Sequence, residues 1–224
     1  MKPLPRRLVA WAAKHPVRFG LAVVGLALLS VISWRGYDIL LGTNLATITP
    51  GQAYRSAQLS GAEFRQEIAI LGLRSVINLR GPNPQNEWYR QELAACRKAG
   101  IRHYDVALSA RQLPPPKLLD QLITDLRTAP RPLLVHCKNG ADRSGMAAAL
   151  WLILTRHEDP ASAAAEELTL WRGHMPIGPA TAMDRFLKLY SQTGQGMGLE
   201  QWARVEYPTL YARQEPSPVV GAGP

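Results

Sequence analysis

Leu133-Leu134-Val135-His136-Cys137-Lys138-Asn139-Gly140-Ala141-Asp142-Arg143-Ser144-Gly145-Met146 decides how this chain folds. Leu133 to Val135, preceded by Pro130 and Pro132, is a short apolar run suited to a buried strand, and Met146 to Leu154 suits a buried helix. The residues between them form a strand-to-helix loop. A helix that starts near Arg143 turns its unpaired N–H groups and the positive end of its dipole toward Cys137, which makes an anion site. Gly140 lets the chain curl tightly, and Gly145 lets helix and sheet approach.

The same field acts on the cysteine. A free thiol titrates near ~8.5, whereas one at a helix N-terminus beside an arginine falls to roughly 3.5–7.5 and is a thiolate at neutral pH. Cys137 then attacks phosphorus directly. Phosphoryl transfer spreads charge over three equatorial oxygens, so catalysis consists mainly of holding that charge with preorganised donors. Arg143 offers a planar fork for two of those oxygens. The backbone of Lys138, Asn139, Gly140 and Ala141, with Ser144 and Gly145 behind them, completes the phosphate cradle. Ser144 is placed to donate to the sulfur when it departs, and His136 holds the loop from outside the chemistry.

His136-Cys137, five residues, Arg143 and then Ser144-Gly145 resembles the Cys-x5-Arg signature of the protein tyrosine phosphatase superfamily, and the short chain resembles its dual-specificity branch. Pro50-Gly51-Gln52-Ala53-Tyr54-Arg55-Ser56-Ala57-Gln58 and Leu73-Arg74-Ser75-Val76-Ile77-Asn78-Leu79-Arg80 are similar to the opening of bacterial dual-specificity-like phosphatases. The resemblance runs from about residue 48 to 190. It implies a cysteine-dependent phosphomonoesterase with Cys137 as nucleophile forming a cysteinyl-phosphate, Arg143 as phosphate clamp, and neither metal nor cofactor. In that superfamily an aspartate roughly thirty residues before the cysteine usually protonates the leaving group. Asp105 has this spacing, but Ile101 to Leu108 alternates like a strand, and the following Ser109-Ala110-Arg111-Gln112 holds no carboxylate. Asp142, directly before the arginine, is similar to an acid found in the loops of myotubularins and some secreted bacterial phosphatases. Asp142 is favoured and Asp105 stays open.

Lys138 and Arg111 are candidates for a second substrate phosphate, against the default of solvated cations. Arg80 follows the strand from Ser75 to Leu79 and falls where ligands meet the carboxyl ends of strands. Cys96 reads as core, and His174, in a Gly/Pro-bounded loop, has no assigned role. Two other classes remain open: a rhodanese-type sulfurtransferase, whose loop usually differs in length, and a silent phosphate-binding adaptor, which has no need of the thiol.

Phe19 to Trp34 is an uncharged apolar run, extended to 18 residues by Val17 and Arg18, just long enough to span a bilayer with Trp34 and Arg35 as interface anchors. A secretory signal is the rival reading, although no small-x-small cleavage site follows at once. A buried core helix is the third. Lys2, Arg6, Arg7, Lys14 and Arg18 precede the run without an acidic residue, so the N-terminus is expected in the cytoplasm. The catalytic domain is then expected to be periplasmic, on a single pass through a bacterial inner membrane. Without those five residues the net charge of +9 falls to +4, from 21 Lys and Arg against 17 Asp and Glu. No basic stripe with interleaved aromatics appears, so nucleic-acid binding is not expected. The expected partners are the membrane and a phosphorylated protein or phospholipid; the sequence carries no signal of oligomeric state. Two cysteines, one required as thiolate, argue against a disulfide framework.

The expected organisation is a basic N-terminus at 1–18, an anchor at 19–34, a linker at 35–47, the phosphatase domain at 48–195 and an extension at 196–224 that loses order from about 211. Helices are predicted at Ser60–Leu71, Glu87–Ala99, Pro116–Thr128, Pro160–Leu170 and Pro179–Tyr190, and strands at Ser75–Leu79, Ile101–Leu108 and Leu133–Val135. That alternation predicts an α/β fold with a mostly parallel sheet flanked by helices on both faces.

Overall fold

A computed structural model describes residues 13–194 and 196–214. From Pro16 the chain runs through α1 (Pro16–Leu41), β1 (Ala46–Thr49), β2 (Ala53–Ser56), α2 (Gly61–Leu71), β3 (Ser75–Asn78), α3 (Glu87–Ala99) and β4 (Arg102–Asp105). Then come α4 (Pro116–Thr128), β5 (Leu133–His136), α5 (Asp142–Arg156), α6 (Pro160–Glu167), two 3-10 turns, α7 (Ala182–Thr193), α8 (Leu199–Val205) and α9 (Tyr207–Gln214). Among the described residues the strands form one sheet in the order β1-β2-β5-β3-β4, antiparallel only between β1 and β2.

Local chemistry explains most of the boundaries. Ser60 and Glu63 cap α2 reciprocally, and Gly72, at φ +61°, ends it in the left-handed conformation. Pro116 begins α4, where a missing N–H costs nothing. Strands β3 and β5 are buried along their whole length, as expected of central parallel strands. Their side chains alternate between two layers. Ile77, Leu133 and Val135 belong to one core cluster with residues of α4, α5, α7 and α8, while Val76 and Leu134 belong to a second with Phe64 and Ile68 of α2 and Ala95 and Cys96 of α3. Helix α5 is buried from Ser144 to Leu154, which accounts for its apolar character on every side.

The register aligns Ser56, His136, Asn78 and Asp105 in one row across the carboxyl ends of β2, β5, β3 and β4. The phosphate loop and the loop after β4 that carries Arg111 both leave from this row.

Five expectations need correction. Residues 35–47 are not a linker: α1 continues to Leu41 and β1 starts at Ala46, paired across the Pro50-Gly51 turn with β2. Strand β4 ends at Asp105 rather than running to Leu108, and α6 ends at Glu167 because Leu168 leaves helical geometry. The Pro179–Tyr190 helix begins instead at Ala182, after a 3-10 turn. The extension is helical to Gln214 and belongs to the core, with Trp202 fully buried against Phe186, Tyr190 and Tyr207 and its Nε1–H donating to Thr193 Oγ1 at 2.9 Å. Residues 215–224, part of the stretch expected to lose order, lie outside the described residues, as do Lys2, Arg6 and Arg7.

Trp202→Ala is therefore expected to lower unfolding stability by about 3–5 kcal/mol in denaturant titration. A change within about 0.5 kcal/mol is the result expected of a loose appendage and would contradict this packing.

Candidate active site

Cys137 follows β5 directly, so its position is set by the innermost parallel strand. The loop from Lys138 to Ala141 wraps back over it to the start of α5. Such a loop aims its amides inward only if its carbonyls are held outward, and four consecutive ones are. Lys138 O accepts from Gln58 N at 3.1 Å and Asn139 O from Asn44 Nδ2 at 3.0 Å. Gly140 O and Ala141 O both accept from Arg55 Nη2, at 2.7 and 2.8 Å. Gly140, at φ +66°, lies so close to β2 that a Cβ there would stand 2.5 Å from Ala57 N. Arg55 is itself buried and held by Glu167, with Nη1 2.6 Å from Oε2.

Within the cradle, Cys137 Sγ is 3.5 Å from Ser144 Oγ. Burial alone would raise the thiol, but the Arg143 charge, the Ser144 hydroxyl and the amides of Ser144 and Asn139 outweigh it and hold Cys137 below its ordinary value. Arg143 reaches over the loop with Nη1 donating to Leu79 O and Leu108 O, at 3.3 and 3.1 Å, while its buried Nε has no protein partner. An unsatisfied buried guanidinium donor on the arginine that stabilises the Cys137 thiolate is what a phosphate oxygen would complete.

Behind the cysteine, His136 is buried with Nε2 2.9 Å from Glu92 Oε1. Glu92 also binds His103 Nε2 at 2.7 Å and Gln58 Nε2 at 2.8 Å. Burial would raise this carboxyl, yet His136, His103 and Gln58 together hold it well below the usual carboxylate range.

The two candidate acids stand in different settings. Asp105 accepts from Asn78 Nδ2 at 2.7 Å and from the Tyr89 hydroxyl, so it braces the ends of β3 and β4. Asp142 accepts from His174 Nδ1 at 2.7 Å, and it lines a cleft of about 390 Å³ with Ala110, Arg111, Ile177 and Ala180. His174 is fully buried, and its Nε2 lies 2.9 Å from Asp184 Oδ2. Burial opposes its charge, but the two carboxylates prevail and raise its pKa.

Arg80 is brought to the site: its guanidinium stacks 3.7 Å from the Trp88 ring centroid and donates to Gln58 Oε1 at 3.0 Å. Burial and the nearby Arg143 lower its pKa, and Glu92 and Cys137 partly offset this. Lys138 and Asn139 are exposed at the mouth. Cys96 is core, its thiol pushed up to about 12 by burial and by Glu92.

Sequence reading assigned no role to Arg55, Asn44, Gln58, Glu92, His174 or Asp184. Glu92 had a signal, since it shares the buried face of α3 with Tyr89, Ala95 and Cys96 at helical spacing, and a carboxylate there needs a partner. The others act through contacts between residues distant in sequence.

A family model described as a tyrosine phosphatase family matches residues 35–161. Comparison with curated proteins finds no match. Among solved structures, TpbA of P. aeruginosa matches with 23% identity and TM-score 0.51, covering 67% of this chain and 92% of that one. The core catalytic domain of the PP-IP phosphatase SIW14 of S. cerevisiae matches with 23% identity and TM-score 0.53, over 68% and 88%. A putative phosphatase of Shewanella putrefaciens matches with 19% identity and TM-score 0.53, over 70% and 97%. These likenesses extend to the fold.

Alkylation of Cys137 by iodoacetamide is expected to follow a titration whose midpoint lies below the ~8.5 of a free thiol. The thiolate fraction falls only as pH drops through that lowered value. Ser144→Ala should move the midpoint up, and added phosphate or vanadate should slow the reaction. A midpoint at or above ~8.5, indifferent to either anion, would contradict the electrostatics of the loop.

Proposed function

Because the chain belongs to the tyrosine phosphatase family, we propose that it hydrolyses phosphomonoesters through a cysteinyl-phosphate on Cys137, with no metal in the reaction. The observation that carries this reading is the lowered thiol of Cys137 inside a loop whose carbonyls are all tied back. The thiolate attacks phosphorus, an S–P bond forms, and the bond to the leaving oxygen breaks. Arg143 and the loop amides hold the equatorial oxygens as charge develops. Asp142 gives its proton to the leaving oxygen, with His174 fixing Oδ1 and Asp184 fixing His174. Water then attacks phosphorus, Asp142 takes its proton, and the sulfur leaves as a thiolate supported by the Ser144 hydroxyl. Arg80 and Arg111 are assigned to further substrate charge, Arg80 by its place facing Arg143 and Arg111 by its share of the Asp142 cleft.

The substrate class is a phosphoprotein or a phospholipid headgroup. Helix α1 is long and apolar enough to cross a membrane, with mean hydropathy 2.0 and its apolar window wholly unburied, and this favours the lipid reading. We assign α1 as a retained single span of a bacterial inner membrane, N-terminus in the cytoplasm and catalytic domain in the periplasm, on the basic residues that precede it.

Cys137→Ser should abolish phosphate release from aryl, lipid and peptide phosphates while the fold survives; retained turnover removes the nucleophile assignment. Asp142→Asn should cost about 10²–10⁴-fold on poor leaving groups and far less on good ones, while Asp105→Asn should lack that dependence. The reverse pattern transfers the acid role to Asp105. Orientation is read from protease access in intact spheroplasts, where the catalytic domain should be cleaved; protection until lysis reverses the topology.

A further inference from the structure

Outside α1, the large apolar side chains left exposed among the described residues are Ile70, Val205 and four within one eight-residue stretch. Those four are Leu170 (70% exposed), Trp171 (54%), Met175 (58%) and Ile177 (74%). Scattered exposed apolar residues are ordinary, but a cluster this dense marks a surface that meets something apolar.

The polar residues of the same stretch point the other way. His174 is buried on Asp142 and Asp184, and Arg172 turns back to Glu166 O at 3.2 Å and to Glu167 Oε1 at 3.3 Å. The segment thus directs its charged groups into the protein and its apolar groups out, the inverse of a loop built for water.

Its position is fixed against α1. Arg35 Nε donates to Trp171 O at 2.7 Å, and the guanidinium lies 5.8 Å from the Trp171 ring centroid. Gly173 packs so closely on Ile39 that a Cβ would stand 2.7 Å from Ile39 Cγ2. Arg35 directly follows the apolar run that ends at Trp34, and Trp34 and Trp171 line one surface cleft of about 320 Å³. In a bilayer crossed by that run, residues at its end sit at headgroup depth, the level at which tryptophan is favoured.

We propose that the Leu170–Ile177 segment rests on the surface of the bilayer crossed by α1, so that the phosphate loop opens at the level of the lipid headgroups. The inference rests on α1 being a span, as assigned above. The continuity of Trp34, Arg35 and Trp171 identifies the occupant as lipid rather than a second protein. Ile177 also lines the Asp142 cleft, which places the acid side of the site nearest the membrane.

The test uses the full-length chain with Cys137→Ser, in nanodiscs of phosphatidylethanolamine and phosphatidylglycerol. Single cysteines replace Leu170, Met175 or Ile177, with Leu29 in α1 and Ile70 on α2 as references, and each carries a spin label. Buried Cys96 is not expected to react. Accessibility to oxygen relative to a water-soluble nickel chelate should be several-fold higher at 170, 175 and 177 than at Ile70, and lower than at Leu29. Ratios equal to that of Ile70 would overturn the docking. Labels shielded from both reagents would show a protein partner instead and overturn it equally. A water-accessible Leu29 label would remove the span itself, leaving the phosphatase reading untouched. Should a cysteine variant misfold, quenching by brominated lipids is compared between the wild type and Trp171→Phe; equal quenching of the two rejects the proposal.

Discussion

An anion site made from backbone amides has a geometric cost: each amide turned inward turns a carbonyl outward, and every one of those carbonyls needs a donor. Here the donors for residues 138 to 141 come from outside the loop, from Arg55 in β2, from Gln58 just after it and from Asn44 before β1. The first hairpin of the sheet is therefore the back wall of the phosphate loop. Without Arg55 the Gly140 carbonyl would face protein interior unpaired, Ala141 O would keep only the Gly145 N–H, and the amides that lower the Cys137 thiol would lose their aim.

That support is itself expensive. Arg55 and Glu167 are both buried, and so is the Glu92 carboxylate that gathers His136, His103 and Gln58. Buried ion pairs contribute little net stability compared with apolar packing, while breaking one costs about 3–5 kcal/mol. Their value lies in fixing position. Arg55 ties the loop to the end of α6, and Glu92 ties the residue before the nucleophile to α3 and β4. Rigidity of this kind matters for a reaction whose catalysis consists of holding charge already in place.

How much of this was legible in the sequence follows from the range of each interaction. The β5–loop–α5 unit and the ends of α2, α3 and α4 are fixed locally, and the expected helices Ser60–Leu71, Glu87–Ala99 and Pro116–Thr128 agree with the observed ones to within a residue. Strands β1 and β2 are four residues each and exist because β2 pairs with Leu133 to His136, some eighty residues away. Arg55, a buried charge in mid-strand, also breaks the alternation that would have betrayed β2. His174 was hidden for a similar reason: its meaning depends on Asp142, 32 residues earlier, and on Asp184, 10 residues later, across a Gly/Pro-bounded turn.

The same logic changes the standing of α1. A tether joined by a flexible linker would leave the catalytic domain free to tumble, whereas here Arg35 Nη2 donates to Asn44 Oδ1 at 2.8 Å and Asn44 Nδ2 donates onward to Asn139 O. Two side chains thus connect α1, just past its apolar run, to the carbonyl two residues beyond the nucleophile. Asn44 also donates to Arg172 O at 3.1 Å, and it holds a left-handed backbone, φ +43°, that few residues other than glycine and asparagine adopt readily. The requirement that closes the phosphate loop and the requirement that orients α1 meet at one asparagine. Tilting the helix against the domain would disturb the hydrogen bond to Asn139 O, so this geometry couples the aim of the loop amides to the seating of α1.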